Sequence, residues 1–297
     1  MKKQKILLIT PNLNGVANGL NRIQPSLGLM LVATSLENAG HIVKIHDTAL
    51  EGWNTRKKIS SRGLIQIGQS DEEIFNIIKD FNPSVLGISV LFSNLMDSAH
   101  NIFKIAKKVN NKIVTMIGGN HVSNAVKDYE YNLIAKLPQL SDTIIELEDK
   151  NLDYAVIGES DHAFLKIINN LGENKSITEL PGVVKRVGEK KFIINHPERI
   201  NDISNLHAPA RHLVNMEGYF DIGAFHSAKS KSKRVLSVMC SRGCPEKCTF
   251  CTTPQMWGSK VRWRSIDNII NEIEDGVKNY NIGEIQFEDD TLTANKK

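Results

Sequence analysis

Cysteine is nearly absent from this sequence of 297 residues. The chain has four cysteines, and all of them lie within residues 240–251, CSRGCPEKCTFC. Long apolar runs are absent too: none approaches the roughly 18 residues of a membrane-spanning helix. The apolar run at residues 6–9 is also shorter than the segment of about 7–15 residues in a signal peptide. These absences predict a cytoplasmic protein, in which clustered cysteines bind a metal more often than they form disulfides.

Strong net charge and the common nucleotide-binding motifs are also missing. The formal net charge is only +4, and the basic residues are spread over many helix faces, so a nucleic-acid partner is not expected. No G-x-G-x-x-G motif follows the first predicted strand, and no Walker A motif occurs. The sequence therefore does not support nucleotide binding by either of these routes.

What the first 170 residues do contain is an alternation of short apolar runs with helical patterns. This alternation predicts a parallel, doubly wound α/β sheet, in which ligands bind at the carboxyl ends of the strands. Residues 131–150 fit the pattern least well. The predicted strands are residues 5–10, 41–48, 84–91, 112–119 and 152–159.

The pattern changes after Gly172. Residues 182–196 read as a β-hairpin, and an irregular polar stretch follows. A strand at 234–239, a helix at 265–280 and a strand at 283–290 then predict a second α/β unit. We expect a front domain at residues 1–175, a hairpin and linker at 176–233, and this second unit at 234–297.

Three of the cysteines, Cys244, Cys248 and Cys251, have the spacing C-x3-C-x2-C on one loop between a strand and a helix. Three thiolates on such a loop can ligate three irons of a 4Fe–4S cluster and leave the fourth iron open to a small molecule. The alternative is a zinc site that uses all four cysteines. Cys240 lies further upstream, and we interpret it as a small buried apolar residue.

The segment SRGCPEKCTFC closely resembles the signature of the radical S-adenosylmethionine superfamily. The resemblance implies that the open iron binds S-adenosylmethionine and that the chain begins a partial (β/α) TIM barrel. The aromatic Phe250 matches the family pattern. The run FEDDTLTAN resembles the second-strand segment near the bound S-adenosylmethionine, so Glu288, Asp289 and Asp290 are implied contacts. A carboxylate run at a strand end can equally cap a helix.

The order TPNLN, PSLGLMLVATSLENAGHIVKIHD, VLGISV, IGGNH and YAVIGES resembles the cobalamin-binding domain that precedes this barrel in one large subfamily. The subfamily usually reads GGPH and GEGE where this chain has GGNH and GESD. The D-x-H-x-x-G motif, whose histidine ligates cobalt in many cobalamin proteins, is absent. The implied cobalamin-binding residues are Asn12, Ser89, Ser93, Gly118, Gly119, His121, Gly158 and Glu159.

Together the two resemblances imply a cobalamin-dependent radical S-adenosylmethionine enzyme with three cofactors: a 4Fe–4S cluster, S-adenosylmethionine and cobalamin. The implied reaction is methyl transfer to an unactivated carbon through a 5′-deoxyadenosyl radical, with an external electron donor such as flavodoxin or ferredoxin. A cyclase, a ring-rearranging enzyme and a non-catalytic cobalamin or iron–sulfur carrier are the alternatives. Residues 240–297 give room for only about two βα units, so we expect a chain truncated within the barrel and inactive alone.

Overall fold

The computed structural model describes residues 2–60, 63–135, 143–223 and 230–294. The strands are β1 (Lys5–Thr10), β2 (Leu13–Val16), β3 (Ile42–Asp47), β4 (Arg56–Lys58), β5 (Leu64–Ile67), β6 (Val85–Ser89), β7 (Val114–Gly118), β8 (Tyr154–Val156), β9 (Val183–Gly188), β10 (Lys191–Ile194), β11 (Val235–Val238), β12 (Ser241–Arg242), β13 (Arg262–Trp263) and β14 (Glu284–Phe287). The helices are α1 (Leu27–Asn38), α2 (Thr48–Glu51), α3 (Asp71–Phe81), α4 (Met96–Val109), α5 (Asn120–Ala135), α6 (Ser160–Gly172), α7 (Met216–Ile222), α8 (Thr253–Met256) and α9 (Ile266–Tyr280).

The five predicted front strands form a parallel sheet in the order β8-β7-β6-β1-β3. Strand β1 lies between β6 and β3, so the chain moves outward in both directions from β1. Such a reversal of strand order leaves a crevice at the carboxyl edge of the sheet. The predicted doubly wound α/β fold is therefore confirmed.

Apolar side chains cover both faces of this sheet. Helices α3 and α4 pack on one face, and α1 and α6 pack on the other. Local signals begin and end these helices as the sequence suggests. Ser70 and Glu73 form a reciprocal capping box at the start of α3, which satisfies backbone donors that would otherwise lack partners. Asn82 ends the same helix in the left-handed conformation.

The sequence analysis did not place two groups of strands: the hairpin that extends the front sheet and a separate three-stranded sheet. The predicted hairpin, β9–β10, does not stand alone, because β9 pairs antiparallel with β8 and extends the sheet. A separate antiparallel sheet in the order β2-β5-β4 lies between β1 and α3 in the chain. The expected domain boundary at residue 175 thus falls before two strands that belong to the front sheet.

The second unit begins with β11, which pairs in parallel with β14 through the crossover helix α9. This is the strand–helix–strand unit that the sequence predicts. The cysteine loop lies between β12 and β13, which pair antiparallel at its two ends.

Within the described ranges, no helix is long and apolar enough to span a membrane.

Candidate functional site

A cavity of about 450 Å³ lies at the carboxyl edge of the front sheet, where the second unit covers it. Its front wall includes Thr10 and Ser89, which end β1 and β6. Its opposite wall includes Met239, Ser241 and Trp257 from the cysteine segment. The carboxyl edge is where a doubly wound sheet binds its ligand. One cavity thus contacts both halves of the chain.

The structure brings only some of the predicted cobalamin residues to this cavity. Ser89, Gly118, Gly119 and Gly158 line it. The other four, Asn12, Ser93, His121 and Glu159, do not line it. Glu159 is buried in an ion cluster that is described below.

Asn12, Ser93 and His121 also differ from the expected arrangement. The Asn12 amide donates to the carbonyl of Gln69 at 2.8 Å. Ser93 is exposed in a short 3-10 helix, Ser93–Leu95. His121 Nε2 lies 2.5 Å from Glu146 Oε2, and only 12% of the histidine side chain is exposed. That contact orients the imidazole toward a carboxylate of the protein. Direct contact of these three side chains with a corrin therefore stays a prediction.

Two of the glycines are explained by packing inside the protein. Gly119 has a φ of +113°, and a Cβ there would lie 2.3 Å from the carbonyl oxygen of Val90. Gly158 has a φ of +78°, and a Cβ would lie 2.5 Å from Pro197 Cβ. Only glycine tolerates both the backbone conformation and the close neighbour. The expected reason for these glycines, close approach of a ligand, is therefore not needed to account for them.

The junction of the two halves contains four buried charges. Arg242 Nη1 donates to Asp161 at 2.6 Å and to Glu159 at 3.0 Å, and Arg262 Nη2 lies 2.7 Å from Glu159 Oε1. All four residues are less than 9% exposed. Burial alone would lower the pKa of Arg242, but Asp161 and Glu159 raise it above its usual value. The Trp257 ring covers the Arg242 guanidinium at 5.0 Å.

The three predicted cluster ligands lie on the loop between β12 and β13. Cys244 is buried; its N–H donates to the Gly258 carbonyl at 3.2 Å, and its Sγ lies 3.0 Å from Thr291 Oγ1. Cys248 is exposed and Cys251 half-buried. No three His, Cys, Asp or Glu side chains converge at metal-binding distance among the described residues. The chemistry of this donor set, three thiols on one mostly exposed loop, fits an iron–sulfur cluster.

Cys240 has a different environment from the other three cysteines. It packs with Leu236 and Val238 against α9. Burial, together with the nearby Asp289 carboxylate, raises the pKa of its thiol to about 11. A thiol that resists ionisation is a poor metal ligand, since metals bind the thiolate. This environment matches that of a small buried apolar residue.

The three acidic residues after β14, Glu288, Asp289 and Asp290, have different surroundings. Asp289 accepts hydrogen bonds from the Cys240 N–H and the Ser241 hydroxyl, which anchors the start of the cysteine segment. Asp290 lines the cavity and accepts from the Thr253 hydroxyl at 3.0 Å. Glu288 lines the cavity as well, and its buried Oε1 has no hydrogen-bond partner in the described structure.

Phe250, the fourth residue that the resemblance implies as an S-adenosylmethionine contact, lies on the cysteine loop and is 89% exposed.

Sequence reasoning missed several residues that build this site. Asp47 caps α2 through the N–H groups of Ala49 and Leu50, accepts from the Tyr219 hydroxyl at 2.6 Å and lines the cavity. Its signal was an aspartate at the end of a predicted strand, a residue type that is typical of a helix cap. Arg242 stands inside the quoted cysteine motif, but a single sequence gives no sign of its partners.

Comparison with known proteins finds a family match within the front domain and relatives that match most of the chain. A family described as the B12 binding domain matches residues 15–135. The cytidylyl-2-hydroxyethylphosphonate methyltransferase of Streptomyces wedmorensis is 32% identical over 98% of this chain and 55% of its own length. The hopanoid C-3 methylase of Methylococcus capsulatus is 25% identical over 85% of this chain and 40% of its own length. The chain thus spans about half the length of these relatives or less.

The fold of the whole chain also matches a solved structure. The radical S-adenosylmethionine methyltransferase TsrM of Kitasatospora setae, with cobalamin and a [4Fe-4S] cluster bound, gives a TM-score of 0.63 at 14% identity. The match covers 97% of this chain and 48% of TsrM. These matches support the resemblance of the two motif regions to cobalamin-binding radical S-adenosylmethionine enzymes.

Proposed function

We propose that this chain is the cofactor-binding part of a cobalamin-dependent methyltransferase that acts on an unactivated carbon. The observation that carries the proposal is a cavity of about 450 Å³ lined by both halves. Ser89 and Gly118 reach it from the front sheet, and Ser241 and Glu288 reach it from the second unit. A reaction that needs a corrin and a cluster-bound S-adenosylmethionine together requires both to open onto one space.

Each half has residues suited to one cofactor, cobalamin in the front domain and the iron–sulfur cluster in the second unit. The strand ends at Ser89 and Gly118 would carry cobalamin, and the three thiols at 244, 248 and 251 would carry the cluster. When bound, the cluster supplies one electron to S-adenosylmethionine, and cobalamin supplies the methyl group. Glu288 Oε1, buried and unpartnered, can accept a hydrogen bond from an amino or hydroxyl group of a bound molecule.

The chain itself shapes the space in which these groups meet. Apolar side chains such as Met239 and Trp257 make up much of the cavity wall. An apolar wall keeps water away from reactive species during the reaction. The only formal cation on that wall at the cysteine segment, within the described chain, is Arg242, and two carboxylates neutralise it.

Iron binding is tested by anaerobic reconstitution. We expect about four irons per chain and a brown chromophore. Replacing Cys244, Cys248 or Cys251 by alanine removes the chromophore, whereas Cys240→Ala keeps it. Tetrahedral zinc bound through all four sulfurs would contradict the assignment.

Turnover is tested separately with S-adenosylmethionine, cobalamin and a strong reductant, in a protein that contains this chain. The expected product is 5′-deoxyadenosine, with methylated substrate once the substrate is known. An intact cluster and bound cobalamin that never give 5′-deoxyadenosine would favour a carrier over an enzyme. Retention of hydroxocobalamin on gel filtration tests the corrin site independently of the cluster.

A further inference from the structure

The cysteine loop is closed at its base by two arginines. Strand β12 ends directly before the loop and β13 follows it, and their register places Arg242 opposite Arg262. Both arginines are buried, at 3% and 8% exposure. Like charges directly opposite each other destabilise an antiparallel pair. This pairing therefore needs a counter-charge from elsewhere in the molecule.

The counter-charge comes from the front domain. Glu159, at the N-cap of α6, accepts from Arg242 Nη1 and from Arg262 Nη1, each at 3.0 Å. Of these two arginines, Asp161 forms an ion pair only with Arg242. Glu159 is thus the carboxylate that bridges both strands of the loop base.

A short path of contacts leads from this bridge to the first cysteine of the loop. Arg262 Nη2 donates to the carbonyl of Trp257 at 2.8 Å. The carbonyl of the next residue, Gly258, accepts the N–H of Cys244 at 3.2 Å. A shift of Arg262 therefore moves the backbone segment that fixes Cys244.

We infer that Glu159 is a positioning residue for the cysteine loop, which makes the front domain a structural part of the site that holds the thiols. Replacing its carboxylate by an amide leaves two facing guanidinium groups with only Asp161 to neutralise them. Breaking one partner of a buried ion cluster is strongly unfavourable. The loop base then opens, and Cys244 becomes accessible.

Thiol labelling of the metal-free chain tests this inference without any cofactor. In the wild type, we expect exposed Cys248 to react rapidly and buried Cys244 slowly. In Glu159→Gln, Cys244 should react about tenfold faster or more, while Cys240 stays protected in its apolar cluster. Glu173→Gln, an exposed carboxylate just after α6, is the matched control and should label like the wild type. An unchanged Cys244 rate in Glu159→Gln would overturn the inference.

A second variant separates loop opening from general unfolding. In Glu159→Gln/Arg242→Gln, the repulsion across the loop base is gone while Arg262 keeps its bond to the Trp257 carbonyl, so Cys244 labelling should fall back toward the wild-type rate. Acceleration at Cys240 as well, without any rescue by Arg242→Gln, would indicate global unfolding and overturn the positioning role.

Iron retention extends the test, and this arm rests on the proposed function. Reconstituted Glu159→Gln should lose its iron to a chelator several-fold faster than the wild type. A wild-type chain that takes up no iron would contradict the cluster assignment, while the labelling result would still decide the role of Glu159.

Discussion

The front domain and the second unit use different means to stay folded. The front sheet is covered on both faces by apolar side chains, and the middle residues of β1 are fully buried. In the second unit, the buried residues of α9 are Glu272 and Gly276, while Ile266 on the same helix is 76% exposed. Its main apolar cluster has three buried residues, Leu236, Val238 and Cys240.

Where the second unit meets the rest of the chain, buried ion pairs add to an apolar cluster that includes Val235. Glu272 forms two ion pairs: its Oε1 lies 2.6 Å from Arg211 Nη2, and its Oε2 lies 2.6 Å from Arg264 Nη1. None of the three side chains is more than 7% exposed. Ion pairs impose a definite geometry, because each guanidinium must find its carboxylate. The junction thus combines apolar contact with directed ion pairs, whereas the front domain depends on apolar area.

The largest effect should come from Glu272, since its loss leaves two buried arginines without a counter-charge. We expect Glu272→Gln to lower the free energy of unfolding of the junction by about 3–5 kcal/mol. Urea unfolding followed by tryptophan fluorescence measures it, because Trp257 and Trp263 both lie in the second unit.

Glu274→Gln is the matched control on the same helix. Glu274 is exposed, so its replacement should change the free energy of unfolding by no more than about 0.5 kcal/mol. Equal effects of the two substitutions would show that the buried ion pairs do not hold the junction together.

The same contrast explains what the sequence could predict. The five parallel strands were predictable, because short apolar runs report directly on burial in a sheet. The helical period predicted α9 as well, although Ile266 on its apolar face is mostly exposed. The partners of Arg242 and Glu272 were not, because ion pairs between distant segments leave no periodic signal in one sequence. Strands β2, β4 and β5 were missed for a related reason: each has only three or four residues, and β5 alone among them has buried side chains.

The candidate site divides in the same way. The three ligand cysteines and the strand-end residues Ser89 and Gly118 could be proposed from motifs and from the rule for carboxyl edges. Glu159 was expected to contact cobalamin, and the structure instead gives it two arginines. A carboxylate after a strand does not reveal from sequence whether it faces a ligand or a distant side chain.

A second, smaller effect should come from Asp47, a buried carboxylate of the front domain that has neutral donors instead of arginine partners. Burial raises its pKa from the usual 3.8 to about 6. The folded state therefore holds this proton more tightly than the unfolded state. The resulting stabilisation is complete below about pH 3.8 and is lost as the pH rises through about 6.

Asp47→Asn should remove this pH dependence, since the amide oxygen still caps α2 and the amide N–H₂ can donate to Tyr219. At pH 8 we expect the variant to be more stable than the wild type by about 1–3 kcal/mol. Urea unfolding at several pH values between 4 and 8 measures this. The control is Asp80→Asn, an exposed position of α3, which should leave the pH dependence of the wild type unchanged. An Asp47→Asn variant less stable than the wild type at pH 8 would contradict the prediction.

The smallest effect on stability should come from Phe250, which tests the comparison at the cysteine loop itself. Its ring is 89% exposed, so Phe250→Ala removes almost no packing and should change the free energy of unfolding by less than about 0.5 kcal/mol. If the ring contacts bound S-adenosylmethionine, as the family resemblance implies, the same variant should weaken that binding several-fold in the reconstituted protein. Calorimetric titration with S-adenosylmethionine measures the second effect, with Phe192→Ala in β10 as an aromatic control distant in sequence from the loop. A stability loss at Phe250 as large as that at Glu272 would show that the loop is packed after all, and that apolar contacts contribute to the second unit as they do to the front domain.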